Sequence, residues 1–259
     1  MKNIHHHFSK IAHRYRDLRV TDLEPIIFIE KKLHKHSKIV AADIGCGAGR
    51  YDSKLFRYLG RRLFLYCIDA NKDMLKTLKE FLVKHKIGNF KTIRATADKI
   101  PLKDDSLDCI FTFNAIHHFR ISQFLNEASR LLKNNGYLFI YTRLRSQNRR
   151  NIWGKHFPLF HEKETRLYEL NELRSSIEKI PRLEMETVEY FKYARLSSLD
   201  TLLERVQNHH YSTFYVYSKK EFDDSLKKFE QNIRRKFEDP NKINWFDENI
   251  LLVVRKQIN

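Results

Sequence analysis

Between Ile39 and Arg143 short apolar runs alternate with amphipathic stretches, the pattern of βαβ units wound about a parallel sheet. Residues 39–44, 62–68, 90–95, 107–113 and 136–142 read as strands, and 50–58, 72–86 and 121–132 as the helices between them. In the second of these helices Leu75, Leu78, Leu82 and Val83 share one face at helical spacing. Asn134-Asn135-Gly136 is a stop signal after the third. Two further helices are expected before residue 38, with Ile26, Ile27, Ile29 and Leu33 as an apolar stripe.

Past Arg143 the alternation fades. Residues 163–180, 195–208 and 219–237 read as helices, 183–191 as a strand and 248–256 as the last strand. With no internal repeat and no low-complexity linker, the expected organisation is a helical segment at 1–38 and a core at 39–194. An aromatic, helical insert follows at 195–247, and the final core strand lies in 248–259. A length of 259 residues suits one large domain with an insert, and 42% hydrophobic residues, with 19 Phe and 12 Tyr, can fill a core. No apolar run approaches the roughly 18 residues of a membrane span, and the polar, His-rich N-terminus lacks a secretory h-region. Cys46, Cys67 and Cys109 have neither CxxC nor zinc-ligand spacing. A soluble, cytoplasmic chain with reduced thiols is expected.

The net charge of +17 bears on partners, and its distribution counts for more than its size. Residues 1–143 hold 27 basic against 14 acidic side chains, and most of these sit singly on helices as solvated faces. Denser clusters occur at residues 31–38 and at Arg143, Arg145, Arg149 and Arg150. They leave open a plain solubility role or a surface for an anionic substrate or RNA, although no RGG repeat, zinc knuckle or RNP signature is present.

Three of the seven glycines fall within five residues, in Asp43-Ile44-Gly45-Cys46-Gly47-Ala48-Gly49-Arg50, where a strand runs into a helix. Such a turn is either a tight structural element or a place where a ligand approaches backbone beside the free N–H groups of a helix start. The GxGxG spacing differs from the dinucleotide fingerprint GxGxxG, which argues against a nicotinamide-dependent oxidoreductase. Asp69 ends the second strand twenty residues after Gly49, where a carboxylate can accept both hydroxyls of a ribose. Ala97-Asp98-Lys99-Ile100-Pro101-Leu102 follows the third strand and Asn114-Ala115-Ile116-His117-His118-Phe119 the fourth. All four signals lie at carboxyl ends of successive strands, where open α/β sheets bind ligands.

On these residues, together with residues 131–138, the chain resembles the class I S-adenosylmethionine-dependent methyltransferases, in the ubiquinone/menaquinone-methyltransferase-like type 11 branch. The resemblance covers about residues 8–143 and the two late strands, and residues 8–17 look like the lid helix that often precedes this domain. It implies a Rossmann-like, seven-stranded, mostly parallel sheet with an antiparallel last strand and helices on both faces. It further implies S-adenosyl-L-methionine as cofactor and S-adenosyl-L-homocysteine as product. By the same resemblance, Gly45, Cys46, Gly47 and Gly49 line the methionine portion and Asp43 anchors its ammonium. Asp69 holds the ribose, Ala70 and Met74 flank the adenine, Ala97 and Asp98 complete the adenine site, and Asn114 and Ile116 border the sulfonium.

An activated methyl on sulfur needs mainly an aligned acceptor. His117 and His118 are candidates for a base where the acceptor carries a proton, with pocket lining as the competing role. Tyr15, Arg19, Arg143, Arg145 and Trp153 are candidates for holding the acceptor, Arg being suited to carboxylate or phosphate. Trp153, Phe157 and Phe160 could form a pocket wall, a stacking surface for a base or a helix-packing patch, and the aromatics of 211–217 could cover the site. No metal site is expected: neither His5-His6-His7 nor His209-His210 belongs to a ligand constellation. The expected function is methyl transfer by in-line displacement to a small-molecule acceptor. The alternatives are a tRNA methyltransferase using the basic surface and a cofactor-binding protein without turnover.

Overall fold

The computed structural model describes residues 20–258. In chain order the elements are α1 (Glu24–Lys32), β1 (Ile39–Ile44), α2 (Asp52–Leu59), β2 (Leu63–Asp69), α3 (Lys72–Lys84), β3 (Phe90–Arg94), β4 (Leu107–Phe113), α4 (Ile121–Leu131) and β5 (Leu132–Thr142). They continue as α5 (Arg145–Arg150), α6 (Ile152–His156), α7 (Phe160–Lys163), α8 (Leu170–Glu178), β6 (Leu183–Ser197), α9 (Leu199–Gln207), α10 (Lys219–Lys236) and β7 (Ile243–Lys256). The seven strands form one sheet in the order β3-β2-β1-β4-β5-β7-β6. β1 pairs in parallel with β2 and β4, β2 with β3, and β4 with β5, while β5 and β7 are antiparallel. The alternation predicted its parallel part, and the family resemblance implied the Rossmann-like seven-stranded sheet with an antiparallel last strand. Strand order reverses between β1 and β4, so their carboxyl ends diverge into a crevice, the usual ligand position in open α/β sheets.

The polypeptide divides into two compact units. Among the described residues one comprises 20–142, 170–189 and 250–258, and the other 143–169 and 190–249. The boundary thus falls inside β6 and β7. It also assigns 143–169, expected in the core, to the same unit as the expected insert.

In the sheet unit β1, β4, β5 and residues 250–254 of β7 are buried almost throughout. The Tyr141 hydroxyl donates to Asp22 Oδ2 at 2.7 Å in the interior. Arg62 caps the end of α1, donating to the carbonyls of Leu33 (2.8 Å), His34 (3.2 Å) and His36 (3.2 Å), where a cation complements the helix dipole. Pairing of β4 with β5 shifts register between Leu107 and Cys109. There Asn134-Asn135-Gly136 loops out with Asn135 at φ +63°, so the stop signal becomes an irregularity within β5 rather than the gap before it.

The other unit is built on aromatic packing. Trp153 is only 3% exposed and stacks on Phe229 at 5.3 Å between ring centroids. Phe157, Phe160, Phe214 and Leu202 fill the space around them. α10 starts in a capping box, the Ser218 side chain accepting from Glu221 N and Glu221 Oε2 from Ser218 N, and its Phe229 and Ile233 face this core. The single helix expected at 163–180 is broken after Lys163. Glu164 turns inward there to pair with Arg166 and to accept from the Thr213 hydroxyl at 2.5 Å, and helix resumes only at Leu170. β6 runs past residue 191 to Ser197, and β7 begins at Ile243 rather than 248. Their charged residues hid the strand pattern because they pair within the unit, as Arg195 does with Asp247 at 3.2 Å. Among the described residues no helix is long and apolar enough to cross a membrane.

The packing of Trp153 gives a direct test. Trp153→Ala should lower stability by about 3–5 kcal/mol, the usual cost of removing a large buried aromatic side chain. Urea unfolding followed by circular dichroism would measure it; a change below about 1 kcal/mol, in the range of surface substitutions, would contradict a core role.

Candidate functional site

The site begins where β1 ends. Gly45, Gly47 and Gly49 all adopt positive φ (+75°, +55° and +79°), a region that excludes most other residues. At two of them the missing Cβ is required by the protein itself. A Cβ on Gly45 would lie 2.6 Å from Cβ of Ala115 and 2.9 Å from Cζ of Phe119, and one on Gly49 would lie 2.9 Å from Cγ of Leu78. The loop is therefore clamped between the β4 tip and α3. Gly45 N and Cys46 N donate to the Ile68 carbonyl at 2.8 and 3.1 Å, which ties it to β2 as well.

Asp69, at the tip of β2, organises the next stretch. Its Oδ2 accepts from Gly47 N at 2.9 Å and its Oδ1 from Asn71 N at 2.8 Å. Asn71 in turn caps α3, its Oδ1 accepting from Asp73 N (2.9 Å) and Met74 N (3.1 Å).

The turn after β3 is held from below. Ile100 N donates to Glu127 Oε1 at 2.6 Å. Arg130 donates to the carbonyls of Ile100 (3.0 Å) and Leu102 (2.9 Å) while bound to Glu127 and Asp104. Above this clamp Asp98 receives the Thr96 hydroxyl, which holds its carboxyl below the ordinary carboxylate range, with a smaller pull from Arg120. Past β4, Asn114 adopts φ +53° with its N–H on the Tyr141 carbonyl at 2.7 Å. His117 and His118 form a short turn with ring centroids 4.1 Å apart.

Gly45, Gly47, Asp69, Ala70, Ala97, Asp98, Asn114, His117 and His118 are all half-buried along this row of strand tips. Cys46, Gly49, Met74 and Ile116 are buried, Met74 and Ile116 inside the packing. Burial pushes the Cys46 thiol well up, with neighbouring acidic groups adding to it, so it stays a neutral SH.

Beneath the loop the expected Asp43 has a partner that sequence reasoning missed, Asp52. Asp43 and Asp52 are 1% and 0% exposed and face each other across the start of α2. Burial raises the pKa of both above the ordinary carboxylate value, and the charges of Asp52 and Asp69 act on Asp43 in the same direction. Asp43 Oδ1 is buried without a hydrogen-bond partner. An orphaned buried acceptor under a glycine loop suits a ligand that brings its own cationic donor. Asp52 looks in sequence like an ordinary first-turn acid of a helix, and only its burial distinguishes it. Glu127 and Arg130 likewise read as a surface pair at i, i+3.

The residues expected to hold an acceptor are placed differently. Tyr15 and Arg19, the lid segment 8–17 and His5-His6-His7 lie outside the described residues. Arg143 is 11% exposed at its side chain, and its guanidinium is committed within its own unit. It pairs with Asp247 at 3.1 Å and donates to Asn249 Oδ1, the Glu248 carbonyl and the Tyr211 hydroxyl, each at 3.3 Å. Arg145 donates to the Leu167 carbonyl at 3.1 Å. Trp153 is part of the aromatic core, as are Phe157, Phe160, Phe214 and Tyr217, so the packing alternative describes these rings rather than a pocket wall or cover. Of residues 211–217, Tyr215 and Val216 remain exposed.

Residues 42–140, which contain the whole strand-tip row, match the family model of a methyltransferase domain. The chain is 30% identical over 131 residues to the uncharacterized methyltransferase YcgJ of Bacillus subtilis, covering 50% of this chain and 51% of that protein. It is 26% identical over 159 residues to the mouse tRNA (carboxymethyluridine(34)-5-O)-methyltransferase ALKBH8, covering 60% of this chain and 22% of that protein. The chain thus spans about half, or less, of the curated relatives named. The crystal structure of YcgJ superposes with a TM-score of 0.64 at 16% identity, covering 91% of this chain and 99% of that one. The geranyl diphosphate C-methyltransferase of Streptomyces coelicolor, solved with geranyl-S-thiolodiphosphate and S-adenosylhomocysteine, superposes with a TM-score of 0.54 at 13% identity, covering 89% and 76%. These structures share the fold.

The clamp under the third strand tip predicts an effect at a distance. Arg130→Ala frees the carbonyls of Ile100 and Leu102 and should weaken binding of an adenosyl ligand about tenfold, from loss of charge-assisted hydrogen bonds that hold the Asp98 turn. Calorimetric titration would check it, and unchanged affinity would show that the turn holds its shape without the clamp.

Proposed function

We propose that this chain, whose residues 42–140 match the model of a methyltransferase domain, transfers a methyl group from S-adenosyl-L-methionine to a small-molecule acceptor. The observation that carries this reading is the half-buried row Gly47, Asp69, Ala97, Asp98 and Asn114 around a loop whose glycines hold positive φ.

The residues present fit the cofactor. Asp43 would receive the ammonium through its orphaned oxygen, Asp69, at the tip of β2, the ribose hydroxyls, and Asp98, kept ionised beside Thr96, the adenine amino group. Gly45, Cys46, Gly47 and Gly49 would present backbone to the methionine portion, Ala70 and Met74 would flank the adenine with Ala97, and Asn114 and Ile116 would border the sulfur. When bound, the cofactor supplies a methyl already activated on sulfur. The protein's part is then to hold an acceptor lone pair in line at about 3 Å, which supplies several kcal/mol by orientation alone. His117 and His118 stand at the β4 tip, where a base would take the acceptor's proton if it carries one.

A small acceptor is supported by the fold neighbour that acts on geranyl diphosphate. A tRNA acceptor is the second reading, favoured by the mouse relative and by the net charge of +17. Three buried free thiols, Cys46, Cys67 and Cys109, support a cytoplasmic setting.

Calorimetry of S-adenosylmethionine and S-adenosylhomocysteine should show binding on the order of micromolar, about −8 kcal/mol, abolished in Asp69→Ala. No binding to folded wild-type protein would refute the donor site. Transfer of labelled methyl into a small-molecule pool, and none into tRNA, is the expected result for the acceptor. Methylated tRNA, with binding that weakens steeply as salt rises, would instead establish the second reading.

A further inference from the structure

Five titratable groups converge under the glycine loop: Asp43 at the end of β1, Cys46 in the loop, Asp52 at the start of α2, and Cys67 and Asp69 on β2. Three oxygens, Asp43 Oδ1 and both of Asp52, are buried without a well-formed hydrogen bond. The Cys67 thiol, the Asp52 backbone N–H and Asp43 itself are the groups that act on Asp52 by hydrogen bonding. The charges that act most on the pair are acidic. Asp69 differs from both, because its two oxygens accept from backbone N–H groups. Two carboxyls facing each other out of water cannot both be ionised without a counter-charge, and one proton between them turns repulsion into a hydrogen bond. The thiols of Cys46 and Cys67 cannot neutralise the pair, since burial keeps both protonated.

We propose that Asp43 and Asp52 share a single proton in the free protein, and that the cofactor's ammonium displaces it, so that donor binding is coupled to release of one proton through Asp52. The inference rests on the methyltransferase reading of this site. In the free protein one carboxyl is the O–H donor and the other the acceptor. When an alkylammonium reaches Asp43, the cation supplies both the donor and the positive charge. The shared proton then leaves to solvent and both carboxylates are ionised. Asp52 is thus a positioning residue: it sets the protonation state of Asp43 without needing to touch the ligand.

The probe is S-adenosylhomocysteine, which carries the ammonium and is titrated into the full chain between about pH 5 and pH 8, the range over which a raised carboxyl pair titrates. Affinity should rise with pH, by up to about tenfold per unit where one proton is released. Binding heats in buffers of different ionisation enthalpy should count that proton directly in the wild-type protein. Asp52→Asn keeps the shape and offers Asp43 a permanent N–H donor. It should bind with little pH dependence, release no proton, and bind more tightly than wild type at the acid end.

A readout without ligand follows from the same linkage. A carboxyl whose folded-state pKa is raised, to about 6 for Asp52, gives stability that is present at low pH and lost as pH rises through that value. Wild-type protein should therefore lose stability toward neutral pH relative to Asp52→Asn. Binding that is pH-independent and releases no proton in wild type overturns the proton-sharing pair while leaving the cofactor site standing. Failure to bind at any pH overturns the site, and the inference with it.

Discussion

The carboxylate of Asp69 joins the tip of β2 to the N–H of Gly47 on one side and of Asn71 on the other. Through those two bonds it fixes the glycine loop and the start of α3 at once. A charge-assisted hydrogen bond to a backbone N–H is among the stronger ones available. The glycines complement it: Gly45 and Gly49 are needed because Ala115, Phe119 and Leu78 occupy the space where their side chains would be. Ligand recognition and protein packing thus make the same demand on this loop.

That loop also forces three acids together. Parallel strands that end at one level place Asp43 and Asp69 on adjacent tips, and the tight turn brings Asp52 back over the first. An isolated buried carboxylate pair would be a liability for folding. At a site built for a ligand of opposite charge, the same crowding stores an affinity that water would otherwise weaken.

Much of this was legible in sequence where local pattern and final environment agree. β1 and β4 are apolar runs because both faces are covered, and their bounds were read to the residue. The glycine spacing, Asp69 and the Asn114 turn follow directly from those strand ends. Asp52, Glu127 and Arg130 were not legible, since an acid in a first helical turn and an i, i+3 pair usually face solvent. Only tertiary placement makes the first a buried partner of Asp43 and the other two a clamp on Ile100 and Leu102. The same limit hid the break at Glu164 and the full length of β6 and β7, where charged residues meet partners far along the chain. It also made Trp153 ambiguous, because an aromatic beside arginines has the same spelling in a pocket wall and in a core.

Both tryptophans of the chain, Trp153 and Trp245, belong to the unit formed by residues 143–169 and 190–249. The sheet unit contains none, although it carries the stacked Tyr51 and Phe113 rings at 4.3 Å. Light absorbed by indole is therefore emitted from one unit alone, with Trp153 shielded against Phe229 and Trp245 packed at the edge of the same cluster. The molecule carries a built-in optical label: the red-edge emission follows the aromatic unit through heating or denaturant, while the amide signal follows both units together.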